Sequence, residues 1–170
     1  VVLDIGTGSG CLAVSVAVHA GEATIHALDI STAAINVARA NAERHGVAER
    51  IIFHEGDARV ALPGTCLFDV IVSNPPYIPS AEIESLQIEV RDHDPRLALD
   101  GGLDGLEFYR SLAVSCLSRL RSDGRLLLEV GDGQGEVVAD LITAQGGRVL
   151  EILPDLNNIE RIVVASSDNS

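Results

Sequence analysis

Methionine is absent from the 170-residue sequence, which opens directly on an apolar run at residues 1–5. We therefore expect a fragment whose upstream part is missing. No apolar stretch reaches the ~18 residues that span a bilayer, and no charged-then-apolar leader comes first. These absences predict a soluble, cytoplasmic protein without a membrane partner.

Cysteine is scarce as well. The three cysteines are an odd number, lie far apart and never form a Cys-x-x-Cys pair, which argues against a disulfide framework and a zinc site. The five histidines are scattered without the spacing of metal ligands. The sequence therefore predicts no metal, with the cysteines as buried small residues and the histidines as structural or surface side chains.

Basic residues are few, since 12 Lys and Arg stand against 25 Asp and Glu, a formal net charge of -13. Proteins that track nucleic acid usually carry a basic face that neutralises phosphates, so direct nucleic-acid binding is not expected. A protein or small-molecule substrate is favoured. The length and the 46% hydrophobic content suit one domain with a single core, expected to act as a monomer.

The order of the apolar segments indicates an α/β fold. Apolar runs alternate with segments of helical period, as in a parallel sheet with crossover helices. Ser31 can cap the second helix, Ser122-Asp123-Gly124 can form the turn before the fifth strand, and the link at 154–158 is so short that the last two strands should run antiparallel. We predict strands near residues 1–5, 24–29, 50–55, 68–73, 125–130, 147–153 and 160–165, and helices near 10–20, 32–45, 105–121 and 134–145.

A glycine-rich turn, Asp4-Ile5-Gly6-Thr7-Gly8-Ser9-Gly10, joins the first strand to the first helix. Such a turn lets a ligand approach the backbone N–H groups of a helix N-terminus closely. Its glycines form Gly-x-Gly-x-Gly, whereas the dinucleotide fingerprint would need a glycine in place of Cys11, and the Gly-Lys-Ser/Thr of a Walker loop is absent. The loop therefore favours another kind of nucleoside site.

Two carboxylates follow the next two strands. Asp29, before Ile30, is placed to accept hydrogen bonds from both ribose hydroxyls, and Asp57, before Ala58, is suited to an exocyclic adenine amine. Each acid alone could be a helix cap or a solvated surface residue. Together with the glycine turn, they predict a nucleoside pocket at the carboxyl edge of the sheet, in which Asp4 orders the loop through backbone amides.

The tetrapeptide Asn74-Pro75-Pro76-Tyr77 follows the fourth strand and opens a long segment, to about Gly105, without strand pattern. The Asn74 side chain and the Pro75 carbonyl offer two oxygens that can accept both hydrogens of a planar –NH2 group, while the prolines fix the backbone. The Tyr77 ring can pack on the group that carries the amine. On its own the tetrapeptide could be only a turn, but its place after a buried strand favours a functional loop.

These motifs resemble the HemK/PrmC family, methyltransferases that modify the glutamine of the Gly-Gly-Gln motif in peptide-chain release factors. The likeness runs from the glycine turn through Asn-Pro-Pro-Tyr to Asn158-Ile159-Glu160-Arg161-Ile162-Val163. Its most specific part is the stretch Val90–Leu106, which contains Asp94-Pro95-Arg96-Leu97-Ala98-Leu99-Asp100-Gly101-Gly102.

The resemblance implies a Rossmann-like class I S-adenosylmethionine-dependent methyltransferase, with a seven-stranded, mostly parallel sheet, an antiparallel last strand and helices on both faces. It implies a catalytic domain at 1–165 and a helical N-terminal docking domain that this sequence lacks, while the polar residues 166–170 are themselves expected to form a disordered tail. It assigns no metal and makes S-adenosylhomocysteine the product. Asp4, Gly6, Thr7, Gly8, Gly10, Asp29, Ile30, Asp57, Ala58 and Asn74 would bind the cofactor, Asn74, Pro75, Pro76 and Tyr77 the target glutamine, and Asn74, Pro75 and Tyr77 would serve catalysis.

Two other interpretations stay open at this point. A methyltransferase acting on adenine N6 or guanine N2 would also hold a planar –NH2 group between Asn and Pro oxygens, although it would need a flipped base and phosphate contacts. A binding module that no longer transfers a methyl group is the other alternative.

Overall fold

The computed structural model describes residues 1–91 and 95–167 and contains one seven-stranded sheet in the order β3-β2-β1-β4-β5-β7-β6. Strands β1 to β5 pair in parallel, while β7 lies antiparallel between β5 and β6. The strands are β1 Val2–Ile5, β2 Ile25–Asp29, β3 Ile51–Glu55, β4 Phe68–Ser73, β5 Leu120–Glu129, β6 Gly147–Pro154 and β7 Glu160–Ser167. The predicted α/β sheet with an antiparallel last strand is confirmed.

Helices connect β1 to β2, β2 to β3 and β4 to β5. In the part of the chain that the structure describes, none of them is long and apolar enough to cross a membrane. The α-helices are α1 Cys11–His19, α2 Thr32–Arg44, α3 Ile88–Arg91, α4 Arg96–Leu99, α5 Glu107–Leu117 and α6 Gly135–Ala144, with short 3-10 helices at Ala48–Arg50 and Ile83–Ser85.

The sheet is covered on both faces, as expected. Along β1, Leu3 and Ile5 pack into a core cluster with α5 and α6, which includes Tyr109 and Leu112. Val2, which points to the opposite face of the strand, packs against a second cluster formed largely by α1, α2, β2 and β3. This alternation follows from the two-residue repeat of a strand. The carboxyl edge of the sheet, where β1, β2, β3 and β4 end, stays between the helical layers and carries the candidate site.

The predicted boundary between the helix at 105–121 and the next strand is wrong. Helix α5 ends at Leu117, and β5 begins at Leu120, so that Ser122-Asp123-Gly124 lies inside the strand. The register between β4 and β5 shifts at this point, so the turn residues are accommodated as a bulge-like irregularity in β5. A side chain at Gly124 would come 2.9 Å from the Phe68 carbonyl oxygen, so only glycine fits there.

The end of the described chain is ordered further than expected. Ser166 and Ser167, placed in the predicted tail, belong to β7 because they pair with Arg148 and Gly147 of β6. The remainder of that predicted tail, residues 168–170, lies outside the described residues, as do residues 92–94 of the family-like stretch.

Candidate active site

The glycine loop turns sharply over the end of β2. The backbone N–H groups of Gly6 and Thr7 both donate to the Leu28 carbonyl, at 2.8 and 3.0 Å. Gly6, Gly8 and Gly10 all have positive φ, between +55° and +80°, a region that side chains disfavour. The predicted requirement for glycine at these positions therefore has a conformational cause.

Asp4 is buried beneath this loop. Its Oδ2 accepts hydrogen bonds from Thr7 Oγ1 at 2.7 Å and from the Ala13 N–H at 3.1 Å. Burial raises the pKa of the Asp4 carboxyl, although the two hydrogen bonds act in the opposite direction. Asp4 thus fastens the loop to the start of α1, the ordering role that the sequence indicated.

Asp29 ends β2 and faces the loop from the neighbouring strand. Its Oδ2 accepts the Gly8 N–H and its Oδ1 the Ser31 N–H, both at 2.9 Å. The Ser31 side chain accepts the Ala34 N–H and caps α2, as predicted. Each Asp29 oxygen accepts one of these bonds, which leaves lone pairs that can accept hydrogen bonds from a ligand.

Asp57 is paired with Arg59, which was not among the predicted site residues. The Arg59 side chain donates to both Asp57 oxygens, at 2.8 to 3.2 Å, and the Arg59 backbone N–H donates to Oδ1 at 2.9 Å. These hydrogen bonds hold the pKa of Asp57 below its usual value. Arg59 also lies over the Phe108 ring, 4.8 Å from its centre. An adenine amine would therefore share Asp57 with Arg59.

The Asn-Pro-Pro-Tyr segment leaves the sheet at the end of β4. Ser73, the last strand residue, donates its hydroxyl to the Ile5 carbonyl at 2.9 Å, which ties β4 to β1 beside the glycine loop. Asn74 is exposed and Pro75 is buried. A side chain at Gly6 would lie 3.9 Å from the Asn74 carbonyl oxygen, so the two motifs are neighbours.

A cavity of about 850 Å³ joins these motifs. It is lined by Gly6, Gly8, Asp29, Ile30, Asp57, Ala58, Asn74, Pro75 and Pro76 among the predicted site residues. Asp4, Thr7, Gly10 and Tyr77 are not in the lining found among the described residues. Asp4, Thr7 and Gly10 shape the loop from behind, whereas Tyr77 lies against Gly131, its Cδ2 3.0 Å from where a Gly131 side chain would begin.

Several residues that line the cavity were not among the predicted site residues. The first turns of α2 contribute Ser31, Ala33, Ala34 and Val37, and Pro95, Leu97, Ala98 and Phe108 line the cavity from the segment after Asn-Pro-Pro-Tyr and from α5. Val37 is 50% and Leu97 62% exposed, so neither belongs to the core. Helix α2 is amphipathic, and apolar residues in its first turns that the core does not bury were the feature of the sequence from which these positions could have been predicted.

The charged side chains of the described residues form no metal site, since no group of three or more His, Cys, Asp or Glu could hold an ion there. Of the charged residues in the long segment, Arg96 pairs with Glu84 and Asp100 at 3.4 Å rather than lining the cavity.

Comparison with known families matches the methyltransferase small domain to residues 1–94, more than half of the 170-residue chain. The chain belongs to this family. Its match contains the glycine loop, both strand-end acids and the Asn-Pro-Pro-Tyr segment.

A curated relative is the release factor glutamine methyltransferase of Geobacter sulfurreducens. It is 46% identical over 162 residues, which cover 95% of this chain and 56% of the relative. The resemblance to the release-factor methyltransferases that the sequence indicated is thereby confirmed. The chain spans about half the length of the curated relatives it matches.

Solved structures show the same fold. The ribosomal protein L11 methylase of Lactobacillus delbrueckii subsp. bulgaricus superposes with a TM-score of 0.70 at 20% identity, covering 98% of this chain and 69% of that one. The glycopeptide N-methyltransferase MtfA, complexed with S-adenosyl-L-homocysteine, gives a TM-score of 0.67 at 15% identity over 98% of this chain and 80% of its own. The methyltransferase domain therefore has the class I S-adenosylmethionine-dependent fold.

Proposed function

We propose that this domain transfers a methyl group from S-adenosylmethionine to the side-chain amide nitrogen, N5, of the glutamine in the Gly-Gly-Gln motif of peptide-chain release factors. The observation that carries the proposal is that the glycine loop and Asp29 line the same cavity as Asn74 and Pro75. The name of the Geobacter sulfurreducens relative supports the choice of target.

The residues at the nucleoside end of the cavity fit S-adenosylmethionine. The cavity volume of about 850 Å³ lies within the usual range of ligand sites. Asp29 is held by the Gly8 and Ser31 N–H groups with oxygen lone pairs to spare, which suits a ribose diol. Ile30 and Ala58 provide apolar sides for a base, and Asp57 an acceptor shared with Arg59. When bound, S-adenosylmethionine supplies an electrophilic methyl group and leaves as S-adenosylhomocysteine.

The Asn-Pro-Pro-Tyr segment supplies the acceptors for the target amide. An amide nitrogen is a weak nucleophile because its lone pair is delocalised into the carbonyl. The Asn74 side-chain oxygen and the Pro75 carbonyl would accept the two hydrogens of the –NH2 group and favour the positive charge that builds up on nitrogen during attack. Holding the reacting atoms about 3–3.5 Å apart and in line contributes the remainder. The proton of the methylated nitrogen then leaves to water.

The proposed partner is a release factor in the cytoplasm, and the proposed active unit is a monomer. The formal net charge of -13 supports a protein target over nucleic acid, since phosphates would be repelled.

Incubation with methyl-labelled S-adenosylmethionine and a bacterial release factor tests the proposal, with peptide mass spectrometry to locate the label. We expect label on the Gly-Gly-Gln glutamine. Asn74→Ala should lower the transfer rate about 100-fold or more, the effect of removing one group that stabilises transition-state charge. Asn157→Ala is the matched control, because Asn157 is exposed in the turn between β6 and β7.

The outcomes separate the alternatives. Unchanged transfer in Asn74→Ala would refute the proposed role of this residue. Label on nucleic acid instead of the release factor would replace the proposed substrate by a base amine. Binding of S-adenosylhomocysteine without transfer to either would favour the binding module.

A further inference from the structure

The side chain of Gln134, directly before α6, connects two distant parts of the chain. Its Nε2 donates a hydrogen bond to the Tyr77 carbonyl at 3.0 Å, a contact between residues 57 positions apart. Its Oε1 accepts the Gly131 N–H at 2.9 Å. Both polar atoms of this one amide are thus engaged, one of them on the last residue of the Asn-Pro-Pro-Tyr segment.

The backbone of Tyr77 is enclosed at this point by glycines. A side chain at Gly105 would collide with the Tyr77 carbonyl oxygen and come 2.8 Å from Gln134 Nε2. A side chain at Gly101 would come 2.8 Å from Tyr77 Cα. The glycines of the family-like stretch therefore allow the chain after α4 to close over Tyr77 and leave its carbonyl to Gln134.

We infer that Gln134 is a positioning residue that fixes the orientation of the Asn-Pro-Pro-Tyr segment from outside the cavity. The two prolines restrict the backbone between Asn74 and Tyr77. Anchoring the Tyr77 carbonyl therefore also limits the orientation of the Asn74 side chain and the Pro75 carbonyl at the cavity. This inference rests on the proposed function, in which these two groups hold the target amide.

Replacing the amide by a carboxylate tests the contact with little change in shape. In Gln134→Glu the donor to the Tyr77 carbonyl is lost and two acceptor oxygens face each other, while the bond from the Gly131 N–H can remain. Gln145→Glu is the matched control, because it makes the same charge change at an exposed position just after α6.

The first measurement compares the effect of the substitution on turnover with its effect on cofactor binding. We expect Gln134→Glu to lower kcat for release-factor methylation about 10- to 100-fold, the size of effect that a misplacement of about 1 Å produces. The dissociation constant for S-adenosylhomocysteine, measured by calorimetry, should change far less than kcat, because Gln134 is not among the described residues lining the cavity and Asn74 is only one of the proposed cofactor-binding residues. Gln145→Glu should change neither. Equal losses of kcat and cofactor affinity would instead indicate a general structural role and overturn the inference.

A spectroscopic readout tests the contact without relying on activity. The chain has two tyrosines, Tyr77 and Tyr109, so 3-fluorotyrosine labelling gives two fluorine NMR resonances, which Tyr109→Phe assigns. We expect the Tyr77 resonance to shift in Gln134→Glu and to stay in Gln145→Glu. An unchanged Tyr77 resonance would refute the positioning role. Absence of methyl transfer by the wild type would refute the proposed function instead, and the fluorine spectra would still decide the contact.

Discussion

Asp4 illustrates how a buried charge can serve the site from beneath it. Its Oδ2 receives both the Thr7 hydroxyl and the Ala13 N–H, so one oxygen holds the loop and the first turn of α1 together. The carboxylate is 2% exposed, and burial, followed by the charge of Asp29, raises its pKa. Burial of the charged form of Asp4 therefore costs stability, and the hydrogen bonds from Thr7 and Ala13 offset part of that cost.

We predict that Asp4→Asn is more stable than the wild type at neutral pH. The asparagine oxygen can accept the same two hydrogen bonds without carrying a charge. In the wild type, the stabilising effect of protonated Asp4 is complete below the usual Asp pKa of about 3.9 and is lost as the pH rises through the raised folded-state pKa.

Urea unfolding of both proteins from about pH 4 upward, starting at the usual Asp pKa, measures this effect. The difference in the free energy of unfolding should grow in favour of Asp4→Asn as the pH rises. A variant that is less stable by the same amount at every pH would show that the asparagine does not preserve the two bonds.

The packing of α2 against the glycine loop shapes the site at the level of whole elements. A side chain at Gly10 would begin 2.9 Å from Ala38 Cβ and 3.0 Å from Ala38 Cα, closer than folded proteins tolerate. Asn41 Nδ2 also donates to the Ser9 carbonyl at 2.9 Å. Helix α2 therefore supplies cavity-lining residues at its start and holds the loop through its middle.

We predict that Gly10→Ala costs more stability than Gly46→Ala. Both glycines have positive φ, +80° and +67°, so both variants should lose about 1–2 kcal/mol of unfolding free energy to the left-handed backbone. A side chain at Gly46 meets nothing within 4 Å, whereas Gly10→Ala should lose about 1–3 kcal/mol more through overpacking against α2.

Denaturant unfolding and titration with S-adenosylhomocysteine distinguish the two variants. Cofactor affinity should fall in Gly10→Ala and stay unchanged in Gly46→Ala, which lies beyond the end of α2 and outside the cavity lining of the described residues. Equal losses of stability would mean that α2 moves aside at no cost.

The excess of acidic residues acts on the molecule as a whole. The 25 Asp and Glu outnumber the 12 Lys and Arg, so the negative charges exceed the positive charges that could neutralise them. Such self-repulsion destabilises a compact state, and added salt screens it, because the Debye length falls from about 30 Å at 0.01 M to about 10 Å at 0.1 M.

We therefore predict that the unfolding temperature rises by a few degrees, about 0.5–1 kcal/mol of stability, when NaCl increases from 10 to 150 mM. Thermal unfolding followed by circular dichroism measures it, with KCl as the control for ion-specific effects. A fall in the unfolding temperature would show that surface ion pairs, such as Arg110 with Asp104, outweigh the net repulsion.

Local patterns predicted most of the fold and the position of the site. The alternation of apolar runs and helical segments predicted all seven strands, and the short link at 154–158 predicted the antiparallel β6 and β7. The boundary between α5 and β5 was wrong because Ser122-Asp123-Gly124 has turn chemistry that the sheet accommodates as an irregularity in β5. Tertiary context decided that case.

The contacts between individual side chains were harder to predict from the sequence. His26 and His54 are far apart in the sequence, yet the pairing of β2 with β3 brings their ring centres to 5.0 Å. His54 Nε2 then lies 3.0 Å from His26 Nδ1. The Asn-Pro-Pro-Tyr motif gave no sign that Tyr77 turns away from the cavity toward Gly131 and Gln134. Both pairings join residues far apart in sequence, so they depend on strand register and on the closure of the chain after α4.

The sequence by itself determined where the sheet ends and which groups meet at its carboxyl edge, because strand periodicity, glycine spacing and proline are local properties of the chain. Only the tertiary structure decided which of those groups face the cavity, that Arg59 shares Asp57, and that Gln134 holds Tyr77. The physical reason is that a side chain's partner is chosen by packing between elements, and packing depends on the whole chain at once.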